Sequence, residues 1–241
     1  ISKIPAKNRL ADFPHYLMHR AEQLDNLYIF KNTEGTPENI RKFHPNIIVS
    51  STGSAPLLPP IAGLKDRIDN ENHNIYSILG MISHINDFPK DLEGKKVVVV
   101  GGGAVGLDVV EFFADRNADI SIVEMMDQIG RDLDPVSKND TKTMMKKHNV
   151  HQLTKTALLE VKDSSFLVRG DGEPYELPFE YGFVCLGMRA QGQLYQNLTE
   201  EFSSEDVEIM NIGDSQRARR IIDGTQEGRN ILTILEQKGY L

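Results

Sequence analysis

The sequence predicts an α/β protein built on a parallel sheet, on three observations. Four valines, Val97 to Val100, run without a break into Gly101-Gly102-Gly103-Ala104-Val105-Gly106. A helical stretch follows, with Val105, Val109, Phe112 and Phe113 on one face and Asp108, Asp115 and Arg116 on the other. A second apolar run, Ile120-Ser121-Ile122-Val123, is closed by Glu124. Strand, glycine turn, helix, strand and acid in this order make a βαβ unit. Such a unit closes right-handed and brings Glu124 beside the glycine turn.

Each part of this unit has a physical job. Gly101 permits the tight turn out of the strand, Gly103 leaves room for a pyrophosphate to reach the backbone, and Gly106 lets the helix pack closely on the sheet. The helix that opens at Ala104 and Val105 points free N–H groups and the positive end of its dipole at the phosphates. Glu124, eighteen residues beyond Gly106, is placed to accept both ribose hydroxyls of an adenosine. A lone G-x-G-x-x-G is weak evidence and can be a structural turn; the full succession of parts makes it a dinucleotide site. A carboxylate at that place predicts NADH over NADPH, because a 2′-phosphate would meet a like charge. The next basic residue, Arg131, is seven positions on and able to fold back.

The other elements follow in order. Residues 9–24 read as a helix, Leu27 to Phe30 as a strand, and Thr36-Pro37 as the cap and first turn of a short helix. Ile47 to Ser50 reads as a strand that leaves through Ser51-Thr52-Gly53-Ser54 into a proline-rich extended connection. Residues 75–87 read as a helix, followed by a linker over 89–94. Asp134-Pro135 opens a helix to about His148. Short strands then follow at about 150–155, 157–162, 166–169 and 183–186, a small β-meander ending at Gly187-Met188-Arg189. Residues 190–205 read as loop, Val207 to Met210 as a strand, and Gln216 to Gln237 as a last helix.

Composition narrows the function. A length of 241 residues holds one large or two modest domains, and 39% hydrophobic with 26% charged residues is ordinary for a globular protein. The net charge of −8 argues against nucleic acid as a partner. No apolar run approaches ~20 residues, so no membrane span is expected. The single cysteine, Cys185, excludes a disulfide, a Cys-x-x-Cys pair and an iron–sulfur cluster within this chain. It sits in an apolar strand, where it reads as a core residue rather than a nucleophile. One cysteine fits a reducing cytosol, and a cytoplasmic location is expected. His15 and His19, four apart, lack a carboxylate partner, so no metal site is expected. No side chain stands out as a general acid or base.

The order of these motifs resembles the two-dinucleotide-binding-domain flavoproteins. The wording of Ser51-Thr52-Gly53-Ser54, of Gly101 to Gly106, of Cys185-Leu186-Gly187-Met188-Arg189 and of Ile212-Gly213-Asp214 is similar to the 2,4-dienoyl-CoA reductase and 2-enoate reductase group, Old Yellow Enzyme-type NADH:flavin oxidoreductases. The resemblance covers nearly the whole chain and implies a three-layer ββα fold. In it, a Rossmann-like NAD(P)H-binding domain, 93–190, is inserted in a truncated FAD-binding domain, 1–92 with 191–241. It implies that Gly187 lies at the NADH site and that Ser51, Thr52, Gly53, Gly213 and Asp214 face FAD. Three features of the group are absent: the first glycine fingerprint, which holds the FAD pyrophosphate, the flavin-bearing barrel and the iron–sulfur cysteines. The chain opens at Ile1, and these parts are expected upstream in the same polypeptide, as its partner. The resemblance thus implies an electron-input module that passes hydride from NADH to FAD, with FAD present in the intact protein and absent from this fragment. The intact enzyme would reduce an activated C=C bond such as an enoate or dienoyl-CoA. A reading from another class is a non-catalytic NAD(H)-binding redox sensor, which predicts nucleotide binding without any flavin. A disulfide reductase would need two redox cysteines.

Overall fold

The computed structural model describes residues 2–240, without the side chain of Ala6. Its helices, after a 3-10 segment at Pro5–Ala11, are α1 (Asp12–Glu22), α2 (Pro37–Arg41), α3 (Leu64–Arg67), α4 (Ile78–Ser83), α5 (Ala104–Ala114), α6 (Pro135–Lys147), α7 (Gln193–Glu201) and α8 (Ile221–Gln237). Its strands are β1 (Ile47–Ser50), β2 (Ser54–Pro56), β3 (Ile75–Tyr76), β4 (Lys96–Val100), β5 (Asp119–Val123), β6 (His151–Leu153), β7 (Ala157–Val161), β8 (Ser165–Arg169), β9 (Tyr175–Pro178), β10 (Tyr181–Val184), β11 (Met188–Ala190) and β12 (Glu208–Asn211). The chain forms two compact units, one of residues up to 24 with 56–187, the other of 25–55 with 188 onward.

The first unit is the predicted α/β fold. Its sheet has the order β3-β10-β4-β5-β6, with every pair parallel. Val97 to Val100 at its centre are almost wholly buried, as a parallel strand covered on both faces requires. Helix α5 buries Val109, Phe112 and Phe113, and the Phe113 ring lies 4.8 Å from that of Phe183 on β10. Asp134 caps α6, its Oδ1 accepting from the N–H groups of Val136 and Ser137 at 3.0 and 3.1 Å. A separate antiparallel sheet, β7-β8-β9, packs Phe166 and Val168 into the same core as Val98 and Val100.

Several expectations change here. The expected meander is divided: β6 and β10 join the parallel sheet, and β9, not foreseen, completes the antiparallel one. The helix expected over 75–87 is a strand followed by a shorter helix. Ile75 and Tyr76 pair with Gly182 and Phe183, and the Ser77 hydroxyl then accepts from the Gly80 N–H and starts α4. Residues 56–92, expected with the FAD part, lie in this unit, because β3 extends its sheet.

The second unit holds β1 and β12 as a parallel pair, Ile47 opposite Glu208 through Ser50 opposite Asn211. Thr36 caps α2 as expected, accepting from the Asn39 N–H at 3.2 Å. The loop expected over 190–205 contains helix α7. Leu194, Leu198 and Phe202 recur every four residues, and Leu198 and Phe202 are buried against Ile48. Leu27 to Phe30 is not a strand: all four residues are exposed, and no described strand pairs with them. The last helix begins at Ile221 rather than Gln216, where the Asp223 carboxylate accepts from the Arg220 N–H at 3.0 Å.

Candidate functional site

The glycine turn joins β4 to α5 at the carboxyl end of the central strand, where ligands of open α/β sheets bind. Gly101 has φ +109°, and a Cβ there would lie 2.1 Å from the carbonyl oxygen of Cys185. A Cβ at Gly106 would lie 1.9 Å from the carbonyl oxygen of Gly101, so the helix could not approach the turn. Gly103 differs. A Cβ there would meet nothing within 4 Å, so the protein's own packing does not require glycine at this point. The open space in front of it is what an approaching phosphate needs. Gly103 is also the N-cap of α5, and no side chain caps that helix. The first-turn N–H groups are therefore left for another acceptor.

Glu124 stands beside this turn. Its Oε2 accepts from the Gly102 N–H at 2.6 Å and its Oε1 from the Met126 N–H at 2.7 Å. The turn and the acid are thus joined by a charge-assisted bond that fixes the carboxylate. A cavity of about 620 Å³ lies against the turn, and Gly101, Gly103, Ala104, Val105, Glu124 and Gly187 all line it. Gly106 is buried beneath the helix and does not. Gly187 has φ +104° with open space around it. Leu57, Ile61 and Leu158 supply an apolar wall that sequence spacing did not announce, since they come from two stretches far apart in the chain. Gly102, the partner of Glu124, and Asp132, which also lines the cavity, were likewise not foreseen. Cys185 is buried, and burial pushes its thiol up to about 12. It is a packed thiol and not a nucleophile at neutral pH.

In the second unit, the loops that follow β1 and β12 leave the same end of a parallel pair. The Thr52 hydroxyl donates to the carbonyl of Gln191 at 2.6 Å, and Gly53, at φ +76°, has open space where a Cβ would stand. Ser51 is exposed at the strand end. The Asp214 carboxylate accepts from the Ser54 hydroxyl at 3.0 Å and from the Arg219 N–H at 3.1 Å. Gly213, at φ +66°, donates its N–H to Glu227 Oε2 at 2.6 Å, and Glu227 also pairs with Arg219. The Gly213 N–H and then Arg219 hold the Glu227 carboxyl below its ordinary range. Its place in this network was not read from the sequence; its position two turns into α8 was the available signal. Among the described residues, no three His, Cys, Asp or Glu side chains gather as a metal site would require. No helix among them is long and apolar enough to cross a membrane.

Comparison with known proteins gives the family. Residues 20–210 match the pyridine nucleotide-disulphide oxidoreductase family, and the chain belongs to it. It is 26% identical to a metal reductase of Desulforamulus reducens, over 91% of this chain and 36% of that protein. It is also 26% identical to an NADH oxidase of Thermoanaerobacter brockii, over 79% of this chain and 28% of that protein. Among solved structures, a 2-naphthoyl-CoA reductase complex superposes with a TM-score of 0.76 at 21% identity, covering 94% of this chain and 32% of that one. The chain spans about a third of the length of the curated relatives it matches.

Proposed function

We propose that this member of the pyridine nucleotide-disulphide oxidoreductase family is the NADH-binding electron-input module of a multi-cofactor flavin oxidoreductase. The observation that carries the reading is the geometry of one corner: Gly103 open, α5 uncapped, and Glu124 held at the turn by the 2.6 Å bond from Gly102. Backbone N–H groups at that corner receive the pyrophosphate, and Glu124 receives the adenosine ribose and favours NADH over NADPH. Gly187 and the apolar wall close the cavity around the nicotinamide half and exclude water.

The second unit fits the ribityl and ring parts of FAD. Gly53 and Gly213 allow close approach, and Asp214 offers a carboxylate oriented by Ser54 and Arg219. FAD, when bound, supplies the acceptor for the hydride of NADH. In the same reading 93–190 is the NAD(P)H domain and 1–92 with 191–241 a partial FAD domain, whose residues 56–92 pack with the NAD(P)H part in one compact unit. The remaining FAD contacts, and a barrel carrying further redox groups, belong to another part of the same polypeptide. The intact enzyme reduces an activated C=C bond such as an enoate or dienoyl-CoA.

The longer polypeptide tests the proposal. Anaerobic NADH should bleach its flavin absorbance, and Gly103→Val should prevent the bleaching while the flavin stays bound. A polypeptide that binds NADH but carries no flavin is a redox sensor, and the proposal is then wrong.

A further inference from the structure

The charged side chains that line the cavity at the glycine turn are all negative. Among the described residues, none of its lining side chains is Lys, Arg or His, whereas two carboxylates, Glu124 and Asp132, line it. Asp132 lies on the loop that follows β5, and this loop is stitched to the turn itself. The Gly130 N–H donates to the Gly102 carbonyl at 2.7 Å, and the Leu133 N–H donates to the Gly130 carbonyl at 3.1 Å. Gly130 has φ +65°, which reverses the chain just before Asp132. Arg131, the one cation close in sequence, is exposed and does not line the cavity. The loop therefore delivers an anion, and not the neighbouring cation, to the nucleotide.

We propose that Asp132 is a specificity-determining residue that works with Glu124 to exclude dinucleotides bearing a 2′-phosphate. The inference rests on the reading of this cavity as the nucleotide site. Glu124 acts by contact, through hydrogen bonds that only free ribose hydroxyls can donate. Asp132 acts through its field. A 2′-phosphate adds nearly two negative charges to the ligand, so a carboxylate on the same cavity penalises NADPH more than NADH. Because Asp132 is exposed, solvent and salt moderate the penalty.

The test is a fluorescence titration of the chain with NADH and NADPH, for wild type, Asp132→Asn and Arg131→Ala, at low salt and at about 1 M salt, where the screening length is ~3 Å. Asp132→Asn keeps the shape and removes the charge. It should raise the ratio of NADPH to NADH affinity by about threefold or more at low salt, as expected for like charges sharing one solvated cavity. The gain should shrink at high salt, and Arg131→Ala should leave the ratio unchanged. An unaltered ratio in Asp132→Asn, a gain that persists at high salt, or a loss of NADPH affinity in Arg131→Ala would overturn the assignment. Wild type that binds neither nucleotide removes the underlying reading instead, and Asp132 falls with it.

Discussion

In the proposed reading Glu124 combines two roles in one carboxylate. Its two oxygens hold the N–H groups of Gly102 and Met126, and it faces the cavity where an adenosine ribose would lie. Removing it leaves two backbone donors without their acceptor and takes away the partner of the ribose hydroxyls. Glu124→Ala should weaken NADH by about tenfold or more, on the order of one charge-assisted hydrogen bond at 1.5–3 kcal/mol, and should narrow the gap to NADPH. Titration of both nucleotides against both proteins checks this, and tighter NADPH than NADH binding by wild type would contradict it. The places of Gly101, Gly106 and Glu124 around the turn were legible in the sequence because a βαβ unit fixes them by local connectivity. Asp132 was not legible. Its approach depends on the Gly130 turn and the Gly130–Gly102 hydrogen bond, which no spacing rule encodes.

At the scale of elements, the sequence announced those with a strong local signal. The four valines of β4, the amphipathic α5, the cap at Thr36 and the helix start at Asp134-Pro135 all appear as read. Elements defined by distant partners were missed. Helix α7 looked like a polar loop, because its apolar residues are few and only their packing on Ile48 shows their purpose. Leu27 to Phe30 looked like a strand, but all four residues are exposed and no described strand pairs with them, so the apolar run alone does not make one. Helix α8 carries a consequence for pH. Its Glu227 carboxyl is held below the ordinary range by the Gly213 N–H and Arg219. A depressed folded-state value contributes stability that is present above the unfolded value and lost as pH falls through the folded one. Glu227→Gln should therefore unfold at a lower temperature than wild type near neutral pH, and the difference should close on acidification. Thermal unfolding followed across that range checks it; a difference that is constant with pH would show that the carboxylate charge is not involved.

At the scale of the whole molecule, the 241 residues contain one G-x-G-x-x-G turn, at Gly101 to Gly106. The proposed FAD contacts at Ser51-Thr52-Gly53 and Gly213-Asp214 reach only the ring and ribityl parts. A second pyrophosphate would find no further glycine fingerprint to receive it. That anchoring is worth on the order of two charge-assisted hydrogen bonds, ~1.5–3 kcal/mol each. The chain produced alone should thus purify without flavin, and its absorbance near the flavin bands, before and after adding FAD, is the check. Stoichiometric yellow protein would mean that the FAD site is complete within these residues. The α/β class, the βαβ unit and the family were legible from motif order; the division into compact units was not, because β3 pairs with a strand more than a hundred residues later.

In the proposed function a dinucleotide lies on the turn before α5. Gly103→Val tests it, because a Cβ at Gly103 meets no protein atom within 4 Å and the protein's own packing does not demand glycine there. Only a ligand pressed against the turn should sense the change. NADH titration of the variant should show affinity lowered by at least about tenfold, ~1.4 kcal/mol, with a circular dichroism spectrum like that of wild type. Undiminished NADH affinity in a folded Gly103→Val protein would mean that the phosphates do not bind at this turn.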